Sequence, residues 1–194
     1  MQLKNLENQY EIRLKQMILD HPYLLNLLRR LSQIHEHAYI SAGVIRNWIW
    51  SMQHHQDYSF AGTEIDVIFY DPNETNAERS NVIVRQLIQS YPDHLWYVTN
   101  QATVHQCYQK DNGDGIEPLS SIHHALSLWP ETATAVAIRL LDHNKLDMII
   151  PFGLDDLFEL KLRWNDRMVS RGVFEQRVRT KGFLERWPQL EIVN

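Results

Sequence analysis

The chain has 194 residues, of which 44% are hydrophobic and 22% charged; these values are typical of a globular domain and exclude the fibrous and disordered classes. A net charge of -5 argues against a general nucleic-acid coating function, and no apolar stretch approaches the ~20 residues that cross a bilayer. The charged N-terminal segment and the single cysteine, Cys107, predict a cytoplasmic protein without internal disulfides or disulfide-linked partners.

The charge is unevenly distributed along the chain. Residues 161–186 contain eight Lys or Arg and three Asp or Glu, which gives a local charge of +5 beside -10 for the rest. A solvated helix face is the favoured interpretation of this stretch, and a phosphate-binding surface is the alternative. We expect a single domain over residues 1–194, with helical extensions over residues 1–38 and 161–194.

The predicted elements begin with two helices. Residues 3–38 carry Leu and Ile at helical spacing, interrupted at His21 and Pro22, where proline favours a second helix start. A glycine turn at Gly43 then opens a third helix. The remaining elements are predicted in this order: a strand over 65–70, a helix ending near 91, a strand over 95–100, a helix within 100–109, an exposed loop over 110–115, a helix within 120–128, a hairpin with strands 133–141 and 145–150, a helical turn within 153–160, and a final helix over 166–186.

Two like charges lead into the strand of "GTEIDVIFYD", residues 62–71. Strand periodicity places Glu64 and Asp66 on one face, where they repel each other unless a cation lies between them. In the later hairpin, alternation places Asp147 on one face of its strand, so it is a candidate third carboxylate. Three such carboxylates suit two Mg²⁺ ions that bind phosphate oxygens. The alternative is that Glu64 and Asp66 flank a turn and Asp147 faces solvent.

A possible phosphate site precedes the carboxylates. "SAGVIRNWIW" places Gly43 at a helix start, where backbone N-H groups and the positive helix end receive phosphate oxygens. Arg46, one turn later, is then within reach of the same anion. Turn geometry explains the glycine equally well.

The order of these segments resembles a known superfamily. "AGVIRNWIW" followed by "TEIDVIFYD" is similar to the head of the nucleotidyltransferases that include DNA polymerase beta, and the Gly-x-x-Arg-Asn run resembles that of CCA-adding and poly(A) polymerases. "VTNQATVH", "WPETATAV", "FGLDDLF" and "RWP" look like a bacterial family of small predicted nucleotidyltransferases. The resemblance implies a polymerase-beta-like α/β (α+β) fold: a short mixed sheet flanked by helices, with helical additions at both ends.

The resemblance also implies an activity and a site. Glu64, Asp66 and Asp147 would hold Mg²⁺ or Mn²⁺ and act in catalysis, while Gly43, Arg46 and Asn47 would bind the triphosphate. The expected reaction is nucleotidyl transfer (EC 2.7.7 type) from a nucleoside triphosphate to an acceptor in RNA, in a protein or in a small molecule. The usual first Asp is Glu64 here, and Val44 replaces a small residue. These two departures keep open an alternative, a catalytically degenerate module that binds a nucleotide or a protein partner. A third possibility is an RNA-modifying protein that holds tRNA with residues 161–186.

The remaining candidates have simpler explanations beside the functional one. Asn100 and Gln101 are candidates for contact with a base or sugar, but helix capping is the favoured interpretation. Arg139 lies in an apolar strand and needs a partner, either a carboxylate or a bound phosphate. The histidine pairs are poorly spaced for a shared zinc ion, and Cys107 has no activating neighbour in sequence.

Overall fold

A computed structural model describes residues 2–74, 76–109 and 113–193, with side chains from Gln9 onward. Its main sheet has five strands in the order β3-β2-β1-β4-β5. Strands β2 and β3 are parallel, and every other neighbouring pair is antiparallel. The strands are β1 (Tyr39–Ser41), β2 (Glu64–Phe69), β3 (Leu95–Asn100), β4 (Ala137–Leu140) and β5 (Leu146–Ile149). The predicted mixed sheet is therefore confirmed.

The helices flank this sheet. The two predicted N-terminal helices are present as α1 (Gln2–Leu19) and α2 (Pro22–Ile34), and the Nδ1 atom of His21 caps α2 by accepting a hydrogen bond from the N-H of Leu24 at 3.3 Å. The others are α3 (Gly43–Gln53), α4 (Glu78–Ser90), α5 (Ile122–Leu126), α6 (Asp155–Phe158), α7 (Arg171–Thr180) and α8 (Phe183–Arg186). Within the described ranges, no helix is long and apolar enough to span a bilayer.

The two faces of the sheet are packed differently. One face presents Ile40, Val67 and Ile138 to a large hydrophobic cluster that draws on α1 to α4 and on the C-terminal segment. The opposite face presents Ile68, which packs in a smaller cluster with α5. Because Asp66 precedes Ile68 by two residues, its side chain lies on this second face. The smaller cluster leaves part of that face free for clefts.

The hairpin is confirmed in outline and shortened at its start. Strands β4 and β5 are joined by the turn Asp142–Asn144, in which both His143 and Asn144 have positive φ. Residues 132–134 form a 3-10 turn before β4, so the first arm begins at Ala137.

The helix predicted within residues 100–109 is wrong. A single 3-10 turn, Val104–Gln106, is found there, because the segment has no repeated apolar stripe to bury. In the predicted loop over 110–115, residues 110–112 lie outside the described residues, and residues 113–115 are exposed as expected.

The C-terminal part is not one continuous helix. Gly182, at φ +60°, separates α7 from α8, so the predicted helix over 166–186 is wrong. The segment also contributes a two-stranded parallel sheet of β6 (Lys161–Arg163) and β7 (Glu191–Val193), which a purely helical extension over 161–194 did not include. Trp187 is buried and donates from Nε1 to Oγ of Ser51 at 3.1 Å. This contact fixes the basic segment beside α3.

Candidate active site

Two carboxylates stand on the same face of β2. Glu64 is exposed at the start of the strand, whereas Asp66 is half-buried and lies opposite Ser41 of β1. Within the part of the chain that the structure describes, neither carboxylate accepts a hydrogen bond or forms an ion pair. Burial raises the pKa of Asp66, and the charge of Glu64 raises it further. This arrangement favours a cation between the two side chains.

The turn between β1 and α3 brings the start of that helix beside Asp66. Ala42 has φ +60° and ψ -129°, a conformation that costs a non-glycine residue about 1–3 kcal/mol. Its N-H donates to the carbonyl of Val136 at 3.1 Å, which holds the turn in place. Gly43 follows, and the first N-H groups of α3 have no acceptor within the helix. The positive end of α3 is therefore directed at the cleft that Gly43 lines.

That cleft has a volume of about 360 Å³ and is rich in positive charge. Arg46 enters it from α3, Arg177 from α7, Lys181 from the C-cap of α7, and Arg186 from α8. We call it the basic cleft; its walls are formed by Ala42, Gly43, Arg46, Asn47, Tyr58, Thr63, Glu64, Asp66, Thr134, Arg177, Lys181, Phe183 and Arg186. Four cations around two carboxylates match the charge of a metal-bound polyphosphate.

Arg46 is held rigidly in the wall of the basic cleft. Its Nη1 donates to Oγ1 of Thr134 at 2.7 Å, and Nε and Nη2 donate to Oδ1 of Asn47 at 3.2 and 2.9 Å. The guanidinium also lies over the ring of Phe183, 4.5 Å from its centroid. Burial lowers the pKa of Arg46 to about 10, so it stays charged at neutral pH. These bonds use three of five N-H donors, and two remain for a ligand.

A buried glutamate positions a second arginine at the same place. Glu131 is fully buried and accepts from Nε of Arg177 at 2.5 Å. Its other oxygen accepts from Oγ1 of Thr134 at 3.1 Å, and Thr134 in turn accepts from Arg46. The two arginines are thus connected through one hydrogen-bonded network, which the sequence analysis did not predict.

Some cations of the basic C-terminal stretch line the basic cleft. Lys181 and Arg186 form no ion pair within the described residues, and both line the cleft. Arg177 and Lys181 are separated by four residues, which places them on one face of α7. That spacing was a usable signal in the sequence. The stretch was interpreted primarily as a solvated helix face; Lys181 and Arg186 are exposed, and with Arg177 they also line the cleft, so the phosphate-binding surface stays a prediction.

A second cleft of about 350 Å³ adjoins the basic cleft. The two share Ala42, Asp66, Thr134 and Arg177, so Asp66 stands where they meet. We call the second one the apolar cleft; the rest of its wall is formed by Ile68, Thr99, Gln101, Val104, Tyr108, Ile116, Leu119, Ala125, Leu128, Trp129, Pro130 and Met168. Its composition differs sharply from that of the basic cleft, because most of these side chains are apolar.

The structure does not bring Asp147 to the other two carboxylates. Asp147 lies on β5, separated from β2 by β1 and β4, so three strand spacings of about 4.8 Å put it ~14 Å from Asp66 across the sheet. Its Oδ2 accepts from Nε of Arg139 at 2.8 Å and from the hydroxyl of Tyr39 at 2.7 Å. The predicted three-carboxylate cluster is therefore wrong: Asp147 is on the expected face but beside different strands. Arg139 has the carboxylate partner that it required and lies outside both clefts.

The two asparagines of the prediction have structural partners. The side chain of Asn100 is buried; it accepts from the N-H of Asp71 and of Ala102 and donates to the carbonyl of Asp71 and to Oε2 of Glu74. These bonds hold the turns after β2 and β3, so its amide is occupied by the protein itself. Asn47 lines the basic cleft and orients the guanidinium of Arg46.

No conventional metal centre is formed within the described residues. No group of three or more His, Cys, Asp or Glu side chains is placed there to hold an ion. Cys107 is exposed and unpaired by any disulfide. A divalent cation in the basic cleft would therefore depend on Glu64, Asp66 and the phosphates of a ligand.

Comparison with known sequences identifies one family. The profile described as Nucleotidyltransferase matches residues 31–192, which includes both clefts and all the site residues discussed above. No curated protein matches the chain.

One solved structure shares the architecture of this chain. A protein whose NMR structure reveals a CCA-adding enzyme head domain is similar at a TM-score of 0.77 and 25% identity, over 93% of this chain and 94% of that one. A tRNA-processing enzyme in an apo form is 16% identical, with a TM-score of 0.44 over 85% of this chain and 49% of that one. The first similarity confirms the predicted fold.

Proposed function

The chain belongs to the nucleotidyltransferase family, and from this premise we propose that it transfers a nucleoside monophosphate from a nucleoside triphosphate to an acceptor hydroxyl, releasing pyrophosphate. One observation carries the proposal: the unpaired carboxylate of Asp66 shares a cleft with four cations. A carboxylate alone repels a triphosphate, and cations alone bind any anion. The combination fits a triphosphate that arrives with a divalent metal ion, and the similarity to a CCA-adding enzyme head domain supports this reaction class.

Glu64 and Asp66 would hold Mg²⁺, or Mn²⁺ in its place. Mg²⁺ in proteins is commonly bound by one or two carboxylates together with substrate phosphates and water, and these two side chains provide that donor set. The absence of a partner for Asp66 among the described residues and the upward shift of its pKa fit a site that is completed by a cation. When bound, the ion supplies charge for the developing oxyanions. Glu64 is exposed, so its extra methylene has room.

The chain's own residues position the triphosphate. The N-H groups at the start of α3 and the side chains of Lys181 and Arg186 bind the two outer phosphates, which places the inner phosphate beside Asp66. Arg177, held in an ion pair by Glu131, lies at the boundary of the two clefts and lines both. Asp147 has no part in the chemistry of this proposal, because it is bound to Arg139 and Tyr39 on the far strand.

The reaction exchanges one phosphorus-oxygen bond for another. The acceptor oxygen forms a bond to the inner phosphorus, the bond from that phosphorus to the bridging oxygen breaks, and pyrophosphate leaves with the electron pair. The hydroxyl proton passes to solvent water. The cytoplasm, which supplies nucleoside triphosphates and Mg²⁺, is the proposed location.

Calorimetric titration with each of the four nucleoside triphosphates, with and without Mg²⁺ or Mn²⁺, tests the proposal. The wild type should bind at least one of them only when metal is present, and Asp66→Ala should lose that binding. Asp142→Ala, an exposed acid in the turn after β4, is the matched control and should bind normally. Metal-independent binding that survives in Asp66→Ala would contradict the proposal and favour a degenerate binding module.

A further inference from the structure

The apolar cleft meets the basic cleft at Asp66, which lines both. Of the residues that line the apolar cleft, Arg177 is the one cation among those that the structure describes, and it is ion-paired with Glu131. Arg46, Lys181 and Arg186 line the basic cleft and not the apolar one. The site therefore has one charged and one apolar compartment, joined at a carboxylate.

In-line geometry decides what each compartment holds. In phosphoryl and nucleotidyl transfer, the attacking and leaving oxygens lie on opposite sides of the phosphorus atom. If pyrophosphate leaves into the basic cleft, the attacking hydroxyl must approach Asp66 from the other side, which is the apolar cleft. We propose that the apolar cleft is the acceptor site and that the acceptor is a small uncharged molecule with a hydroxyl group on an apolar or aromatic body. This inference rests on the proposed function and adds the class of its second substrate.

The wall of the apolar cleft fits such a molecule. Trp129 and Tyr108 offer aromatic surfaces, and Ile116, Leu119 and Met168 offer aliphatic ones. A volume of about 350 Å³ is at the small end of pockets that enclose organic ligands. An RNA end would bring backbone phosphates that require cations, and the described wall offers only the neutralised Arg177. The apolar wall therefore selects against RNA and in favour of a neutral compound.

One polar side chain is placed to orient the acceptor. Gln101 is only 5% exposed and lines the apolar cleft. Its side-chain amide has no hydrogen-bond partner within the described residues. Its amide atoms are not among the buried side-chain atoms that lack a partner, so they are open to the cleft and can bond to a ligand there. We assign Gln101 the binding of a polar group on the acceptor.

The test uses 2-naphthol, a neutral aromatic alcohol, as a probe of the cleft. Met168 lines the cleft and Met52 is exposed on α3 outside it, so ε-methyl NMR signals from methionine report binding at each place. With Mg²⁺ and pyrophosphate already bound, 2-naphthol should shift the Met168 signal and leave the Met52 signal unchanged. Thr99→Trp, which fills the cleft from an exposed strand position, should weaken this binding roughly tenfold or more. Leu95→Trp, on the same strand but outside the cleft, is the matched control.

Each other outcome overturns a defined part of the account. If pyrophosphate binds and 2-naphthol fails to shift Met168, or binds Thr99→Trp as tightly as the wild type, the acceptor inference is wrong. The same holds if a short oligoribonucleotide with a free 3′-hydroxyl shifts Met168 instead. If a nucleoside triphosphate displaces 2-naphthol while pyrophosphate does not, the cleft holds the nucleoside base rather than the acceptor. If pyrophosphate does not bind with Mg²⁺ at all, the proposed function itself fails.

Discussion

Arg177 donates from Nε to Oε1 of Glu131 at 2.5 Å, and the two side chains differ in burial: Glu131 is fully buried, whereas the side chain of Arg177 is 34% exposed. The same glutamate accepts from Thr134, which binds Arg46. A fully buried carboxylate that lines neither cleft therefore sets the positions of both arginines.

This difference in burial predicts that removing Arg177 and removing the charge of Glu131 lower the free energy of unfolding by unequal amounts. Removing Arg177 leaves a buried charge without its partner, so Arg177→Met should lower the free energy of unfolding by about 3 kcal/mol or more. Glu131→Gln leaves a guanidinium that water still reaches, so its cost should be smaller, about 1–2 kcal/mol. Urea unfolding of both variants measures the difference. Equal costs would show that Thr134 and Arg46 alone satisfy Glu131.

The shifted pKa of Asp66 predicts that this residue lowers stability. Burial and Glu64 raise that pKa above its ordinary value of 3.8, so the folded protein binds this proton more tightly than the unfolded chain does. The resulting stabilisation is complete below pH 3.8 and is lost as the pH rises through the folded pKa. At pH 7, Asp66→Asn should therefore raise the free energy of unfolding by about 0.5–1 kcal/mol.

The pH dependence and the metal dependence both check this interpretation. Urea titrations at a series of pH values should give free energies of unfolding for wild type and Asp66→Asn that converge as the pH falls toward 3.8. Mg²⁺ should stabilise the wild type and not the variant. A variant that is less stable than the wild type at pH 7 would mean that Asp66 has a stabilising partner.

The cations of the basic cleft should contribute separately to phosphate binding. Lys181→Met and Arg186→Met should each weaken the binding of pyrophosphate with Mg²⁺ about tenfold, because each removes a charge-assisted hydrogen bond. Pyrophosphate binding by these two variants should also depend less on salt than pyrophosphate binding by the wild type. Arg179→Met removes an exposed cation of α7 that lies outside the cleft, and it is the control. Equal losses in all three variants would indicate a general charge effect instead of a built site.

Asp147 should be important for stability and dispensable for nucleotide binding. Its Oδ2 accepts from Arg139 and from Tyr39, so Asp147→Ala should cost about 1–3 kcal/mol of unfolding free energy. Calorimetry of the folded variant should give the wild-type affinity for a nucleoside triphosphate with Mg²⁺. A selective loss of that affinity, with stability unchanged, would restore Asp147 to the site.

The parts of the site that follow from local periodicity could be predicted from the sequence. Alternation along β2 places Glu64 and Asp66 on one face whatever the rest of the chain does. Gly43 opens α3, as the local glycine-turn signal predicted. Both predictions depend on residues within a few positions of one another.

The parts of the site that depend on the order of strands and on the docking of helices could not be predicted from the sequence. The face of Asp147 was predicted correctly, but periodicity does not reveal that β1 and β4 lie between β5 and β2. Arg177 and Lys181 reach the cleft because Trp187 fixes the C-terminal segment beside α3 through Ser51. Glu131 was not singled out in the sequence, since its ion-pair partner Arg177 is 46 residues away.

The most direct test of nucleotidyl transfer follows the label of a nucleoside triphosphate. Wild type is incubated with Mg²⁺, a mixture of neutral alcohols and cellular RNA, and triphosphate labelled at either the inner or the outer phosphate. The account predicts that the inner label enters a product, that the outer label appears in pyrophosphate, and that Asp66→Asn abolishes both while Asp142→Asn abolishes neither. Transfer of the outer label to the acceptor, or full activity in Asp66→Asn, would contradict it.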